Sequence, residues 1–362
     1  MNFNYSFPAV RGYQAQKEFF SLMCPLDILS KLFMFYNNEI PEDYRAQRIL
    51  NEKRIPEIRD YILNNPSDYV FSSITASMDG EYNFTPYNKN EDIGTLVISM
   101  NSYLLINDGQ HRKAAIDEAL KENPKLKTET ISVVLFVDQG LKKSQQMFSD
   151  LNRHAVNVSS SLSILYNHRD PNIELTKIYL KGNQKLHKYI DQSSSSLAQK
   201  SNKMFLLSIF HKAFIISIGN NNCESDNHNV HSAYQYWDAL CENFIEWSTI
   251  LNSQVTPYHS RQVSVATYGI VLEALGLIGY DLYVFNSCDY LSYTKNLNQI
   301  DWAKTNRSDW LNRCIQPSGT ISKSTKMVRL TYIKIKDLIG LELTDQDKKI
   351  EAQFRKENNY AN

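Results

Sequence analysis

Tyr103-Leu104-Leu105-Ile106-Asn107-Asp108-Gly109-Gln110-His111-Arg112-Lys113-Ala114-Ala115-Ile116-Asp117-Glu118-Ala119-Leu120 reads as a strand, a tight turn and a helix in direct succession. The apolar run Tyr103 to Ile106 stops at Asn-Asp-Gly, and Ala114, Ala115, Ile116, Ala119 and Leu120 then supply one buried helical stripe. Gly109 can take a backbone conformation closed to other residues, and Asp108 suits either the turn or a helix N-cap. Gln110, His111 and Arg112 are thereby aimed outward from the first helical turn. Free N–H groups at a helix start, the positive end of its dipole, an imidazole and a guanidinium together describe an anion site, most naturally for phosphate. The competing reading is an exposed junction that is polar only because it faces water.

The chain of 362 residues is 42% hydrophobic and carries 39 basic against 39 acidic residues, so it has enough apolar surface for two packed domains and no compositional sign of disorder. Zero net charge argues against a broadly basic nucleic-acid binder; a binding face would have to be a local patch. The five cysteines, Cys24, Cys223, Cys241, Cys288 and Cys314, form no CxxC pair, and the N-terminal residues lack the apolar core of a signal peptide. The expected compartment is the cytoplasm. The longest apolar run, Tyr268 to Phe285, is interrupted by Glu273 and Asp281, which excludes it as a membrane span.

Phe3 to Phe20 is aromatic and extended in character, and Met23-Cys24-Pro25-Leu26 then introduces a helical run through Leu29, Leu32, Phe33 and Phe35. Proline at the first helical position would put Cys24 at the N-cap, where a thiol can be acidified; Cys24 is the candidate regulatory thiol, with a small apolar filler as the alternative. A first local basic patch comes next, with Arg45, Arg48 and Arg54 as candidate DNA contacts on a stretch whose last part is helical from Pro56. Strands are expected at Tyr69 to Ala76, Thr95 to Ser99 and Ile131 to Val137, with a polar loop between the first two. A helix then runs through Gln145 and Leu151 to Asn152-Arg153-His154, and strands alternating with helices make this half an α/β domain.

From His154 onward the pattern is predominantly helical, with helices expected over Tyr234 to Leu251 and Val263 to Tyr280 and another around Trp302, Trp310, Leu311 and Ile315. Phe205 and Leu206 share the helical spacing of Ile209 and Phe210. Lys323 to Lys336 has no acid until Asp337, and this second local basic patch offers Lys323, Lys326, Arg329 and Lys334 as further candidate DNA contacts. The segment 344–362 reads as a charged, mobile tail. The spacing of Cys223, His228, His231 and Cys241 matches no standard metal site, so no metal is expected. No Gly-rich loop ending in Gly-Lys-Ser/Thr and no clear helix-turn-helix is present.

Asp108-Gly109-Gln110-His111-Arg112 resembles the signature of the DGQHR-domain family, whose best-known members are the DndB proteins of DNA phosphorothioation systems. More distantly, the order of elements from Arg48 to Asn157 is similar to the ParB/sulfiredoxin superfamily, with Asn152 and Arg153, and His154 beside them, at the end of its last helix. Sulfiredoxins carry Gly-Cys-His-Arg at this turn. Here Gln110 stands where that cysteine would be, and an amide is no nucleophile, so the reductase chemistry does not carry over. ParB proteins use the corresponding pocket for a nucleoside triphosphate, which makes a bound nucleotide triphosphate the one cofactor implied.

The resulting expectation is an α/β, ParB/sulfiredoxin-like domain over 1–157, a helical domain over 158–343 and a tail. The DndB resemblance implies a DNA-binding repressor of its own sulfur-modification operon, acting as a homodimer on promoter DNA. Two rivals stay open. One is a nucleotide-hydrolysing or DNA-nicking enzyme with His111 as acid/base and Asp108 as metal ligand or base. The other is a scaffold of the modification complex that does not touch DNA.

Overall fold

A computed structural model describes residues 4–33, 52–89, 91–137, 159–219, 227–284 and 290–358. The chain divides into two compact units, Met1–Val156 and Asn157–Asn362.

The first unit is built on a seven-stranded sheet. Strands β1 (Asn4–Gln14) and β2 (Lys17–Pro25) form a hairpin. Its two-residue turn holds Ala15 and Gln16 at φ 50° and 63°, the left-handed values that a tight hairpin needs at both central positions. β2 runs through Cys24, so the helix α1 (Leu26–Leu32) starts beyond it, with Pro25 and not Cys24 at the N-cap. Next come helix α2 (Arg54–Asn64), strands β3 (Ile74–Asp79), β4 (Tyr82–Pro86), β5 (Ile93–Ser99) and β6 (Tyr103–Asp108), helix α3 (Gln110–Glu122) and strand β7 (Thr130–Val137). The strand order is β4-β5-β1-β2-β7-β3-β6, and only β3–β7 is parallel. The sheet is therefore mostly antiparallel, because hairpins stand where strand–helix alternation was expected. β4 occupies the expected polar loop: it is an edge strand, where Pro86 sacrifices no interior ladder bond. β3 begins at Ile74 and not at Tyr69. Tyr69 and Phe71 precede it and pack ring against ring, with Phe71 also edge-on to Tyr61 of α2.

Register explains the core. Ala9, Leu22, Val133 and Ile74 lie in one row across four strands, and Phe20, Leu135, Ala76 and Ile106 in another. All eight are buried. Period-two alternation puts them on one face, where Leu29, Leu32, Ile62, Ile116 and Ala119 of the three helices join the same cluster. Arg59 of α2 reaches Glu118 and Glu122 of α3 at 3.9 and 3.5 Å, tying the two helices together outside that core.

The second unit is helical around an aromatic core. Its helices include Leu207–Ile218, Asn227–Asn243, Gly269–Val284 and Thr325–Leu338. Gly276 lets the third approach the first: a Cβ there would lie 2.4 Å from the Ala213 carbonyl oxygen. The expected helix from Tyr234 to Leu251 is interrupted at Phe244, whose extended backbone starts a separate helix Ile245–Leu251. Val263 ends a short helix, Pro257–Val263, ahead of Gly269–Val284. Phe205–Leu206 pairs in parallel with Ile190–Asp191 as a short strand rather than as helix. Around Trp302 and Ile315 only Arg307–Trp310 is helical; Trp302 stacks on Trp310 at 5.1 Å and the rest is turns and bridges.

The tail reading is corrected. Asp345–Glu357 is a helix opened by a Thr344/Asp347 capping box and anchored by buried Phe354 and a 2.6 Å Arg313–Glu351 ion pair. Charged residues fill most of a helix whose apolar anchors are Ile350 and Phe354, too sparse a signal to read. Among the described residues, no helix is long and apolar enough to cross a membrane.

Phe20 is fully buried at the centre of the sheet, so Phe20→Ala is expected to destabilise the protein by about 3–5 kcal/mol. Val10→Ala, on an exposed position of β1, is expected to stay within about 0.5 kcal/mol. Urea denaturation followed by far-UV circular dichroism measures both.

Candidate functional site

The turn between β6 and α3 is set by the strand before it. Thr75 pairs with Asp108 but Ala76 pairs with Ile106, so Asn107 is an extra residue in β6, and its side-chain amide donates to the Ser77 hydroxyl at 2.6 Å. Such a bulge bends the strand and re-aims the residues beyond it. Gly109 then takes φ 104°, a region that other residues enter only under strain, and a Cβ there would sit 3.0 Å from the Ile74 side chain. The helix starts at Gln110 with no side-chain cap. Asp108 is thus a turn residue and not the cap.

The five signature residues separate into bracing and facing groups. The Gln110 amide turns back and donates to the Ile106 carbonyl at 3.1 Å. Arg112 donates to the Ser72 carbonyl at 2.5 Å, to the Ser72 hydroxyl and to the Ser73 carbonyl at 3.0 Å, and it forms a 2.6 Å ion pair with Asp108. Its fork clamps the segment entering β3 to the end of β6, and most of its donors are committed to that clamp. His111 is half-buried on the open side.

That side opens on a cleft of about 470 Å³. Arg54 and His111 supply one wall, Ile58, Tyr61 and Phe71 an apolar wall, and Glu57 and Asp108 the carboxylates. Arg54, exposed at the start of α2, forms no salt bridge among the described residues. Burial first, and then the Arg54 charge, hold the His111 imidazole below its ordinary 6.5, with Asp108 pulling the other way. At neutral pH the ring is uncharged, and an anion entering the cleft would favour its protonation. The sequence brought out Arg54 and the turn separately; the fold brings them together. Tyr61, Phe71 and the Ser72-Ser73 acceptors carried no such signal, because their proximity depends on α2 and β3 docking beside the turn.

Other candidates stand differently. Arg45 and Arg48, and Asn152, Arg153 and His154, lie outside the described residues. Lys323 to Lys336 is no free basic patch: Lys323 pairs with Glu273, Lys326 with Glu357 at 3.0 Å, Arg329 with Asp347 at 2.5 Å and Lys334 with Asp309 at 2.8 Å. Those acids come from distant parts of the chain, so counting nearby residues could not reveal them. Cys24 is also corrected. It is wholly buried in β2, and burial pushes its thiol up to about 12, which leaves no reactive thiolate near neutral pH. Among the described residues, no group of three or more His, Cys, Asp or Glu side chains is placed to hold a metal ion.

The model of one protein family, DndB, described as DNA-sulfur modification-associated, matches residues 7–342. No curated protein and no solved structure matches the chain.

In a proton NMR titration, His111 is expected to titrate below 6.5, and Arg54→Gln is expected to move it upward. An unmoved midpoint in that variant would show that the two cations do not face each other. Because the folded value is depressed, the unfolded chain protonates first as pH falls, so this residue's contribution to stability is present above 6.5 and lost between 6.5 and the folded value. Replacing Arg112 by Lys, which cannot reproduce the fork, is expected to cost about 1–3 kcal/mol in denaturant unfolding.

Proposed function

The chain belongs to the DndB family, whose members are DNA-sulfur modification-associated, and from that membership we propose that it is a DNA-binding transcriptional regulator that represses its own DNA phosphorothioation operon from the promoter. The observation that carries the reading is the convergence of Arg54, His111 and the uncapped start of α3 on one open cleft. Backbone N–H groups and a helix dipole favour a phosphate oxygen there, Arg54 supplies a fork of donors, and His111 donates once protonated. Asp108 would repel an anion, but its charge is matched by Arg112. Phosphate contacts of this kind fix register on a duplex; reading the bases requires further groups.

The same cleft suits the phosphates of a nucleoside triphosphate, with Ile58, Tyr61 and Phe71 beside them. A ParB/sulfiredoxin-like relation of the first unit is supported by the succession β6, Gly109 turn, α3 and β7 and by the parallel β3–β7 pair. A homodimer is the proposed form, because a two-fold protein matches the two half-sites of a palindromic operator. A chromosomal promoter as partner implies the cytoplasm as the compartment.

Binding to a labelled fragment of the promoter, against unrelated DNA of equal length over a salt series, tests the reading. Preferential binding that weakens with salt is expected, since neutralised phosphates release counterions. Arg54→Gln is expected to weaken promoter binding about tenfold, the equivalent of roughly 1.4 kcal/mol for one charged contact. Equal or absent retention of the two fragments would sink the regulator reading and favour a scaffold role.

A further inference from the structure

The second unit holds four cations that the ion-paired 323–336 segment does not include. Arg261, on the short helix Pro257–Val263, is 8% exposed, and its guanidinium donates to the carbonyls of Lys203, at 2.6 Å, and Ser201. Both acceptors are neutral, so the guanidinium braces the 201–203 loop without meeting a counter-charge. Lys203 turns its ammonium onto the Lys188 carbonyl at 2.7 Å. On the other side, the Tyr268 hydroxyl donates to the Arg261 carbonyl at 3.1 Å and accepts from the Lys304 ammonium at 2.7 Å. These hydrogen bonds, running through the carbonyls of Lys188, Lys203 and Arg261 and the Tyr268 hydroxyl, bring the four basic residues into one neighbourhood.

Among the described residues, none of the four forms a salt bridge, in contrast to Lys323, Lys326, Arg329 and Lys334. A carboxylate, Asp191, feels the Lys203 charge. Asp191, which burial alone would raise, is held below its ordinary value by hydrogen bonds from Ser194 and Ser193 and by the Lys203 charge. A desolvated guanidinium without a counter-ion is costly, and an anion laid over the surface would offset that cost.

We propose that the surface formed by Lys188, Lys203, Arg261 and Lys304 is a phosphate-contacting face for duplex DNA, in place of the 323–336 segment. Hydrogen bonds to neutral carbonyls hold the Lys203 ammonium and the Arg261 guanidinium, the Tyr268 hydroxyl holds Lys304 and the Tyr189 ring lies by the Lys188 ammonium, all without cancelling charge. That is the condition for exchanging condensed counterions with a nucleic-acid backbone. This inference rests on the regulator reading, and its test separates the two.

The test compares the intact protein with the triple variant Lys188→Gln, Lys203→Gln, Lys304→Gln, leaving the buried Arg261 in place. Promoter binding is measured from about 50 to 200 mM salt, with urea denaturation confirming that the variant is folded. At about 0.9 per phosphate released, the slope of log affinity against log salt is expected to shrink by about 2–3, equally on promoter and unrelated DNA. Lys326→Gln, which only breaks an exposed ion pair, is expected to leave the slope unchanged. A folded triple variant with the slope of the intact protein would overturn this surface and leave the regulator reading standing. An intact protein that binds no DNA would overturn both.

Discussion

The candidate site depends on how Arg112 is held. Its guanidinium joins Asp108, at the end of β6, to the Ser72 and Ser73 backbone just ahead of β3, and so closes the gap between two neighbouring strands at the point where the chain turns into α3. Gly109 can keep its left-handed backbone because nothing larger than hydrogen has to fit between Ile74 and that guanidinium. With the turn fixed, the start of α3 stays uncapped and accessible, and His111 comes to face the helix that carries Arg54. An arginine that a motif would assign to the ligand is instead the part that shapes the ligand's seat.

Elsewhere the protein uses charge mainly to hold itself together. Lys336 is completely buried, with Asp281 at 2.5 Å, Asp347 at 3.3 Å and the Tyr332 hydroxyl at 2.9 Å, and Asp347 also pairs with Arg329 while capping the last helix. Removing one member of such a group would strand the others in a poorly solvated place. Arg54 and the four basic residues of the Lys188–Lys304 surface form no salt bridge among the described residues.

The strand–turn–helix at Tyr103 to Leu120, the strand at Ile131 to Val137 and the helical character of the second unit were legible because each has a clean period and a clear boundary residue. The β1–β2 hairpin was not, since its turn is Ala15-Gln16 and lacks the glycine or asparagine that normally announces one. β4 was hidden by its polarity, as an edge strand with one side to water needs little apolar sequence. In the site, the turn itself was readable, whereas the opposition of Arg54 to His111 and the Ser72-Ser73 anchor depend on long-range docking. The 323–336 segment shows the reverse error: a lysine run looks free until the fold supplies its carboxylates.

All four tryptophans, Trp237, Trp247, Trp302 and Trp310, are in the helical unit, and they form two stacked pairs with ring planes within 15° of parallel. The first unit has no indole, and its near-ultraviolet emission comes from tyrosine. Selective excitation of indole therefore illuminates one half of the molecule. Any change in that emission on adding a ligand is a message from the second unit, and a ligand confined to the Gly109 cleft has to be followed through tyrosine or histidine signals instead.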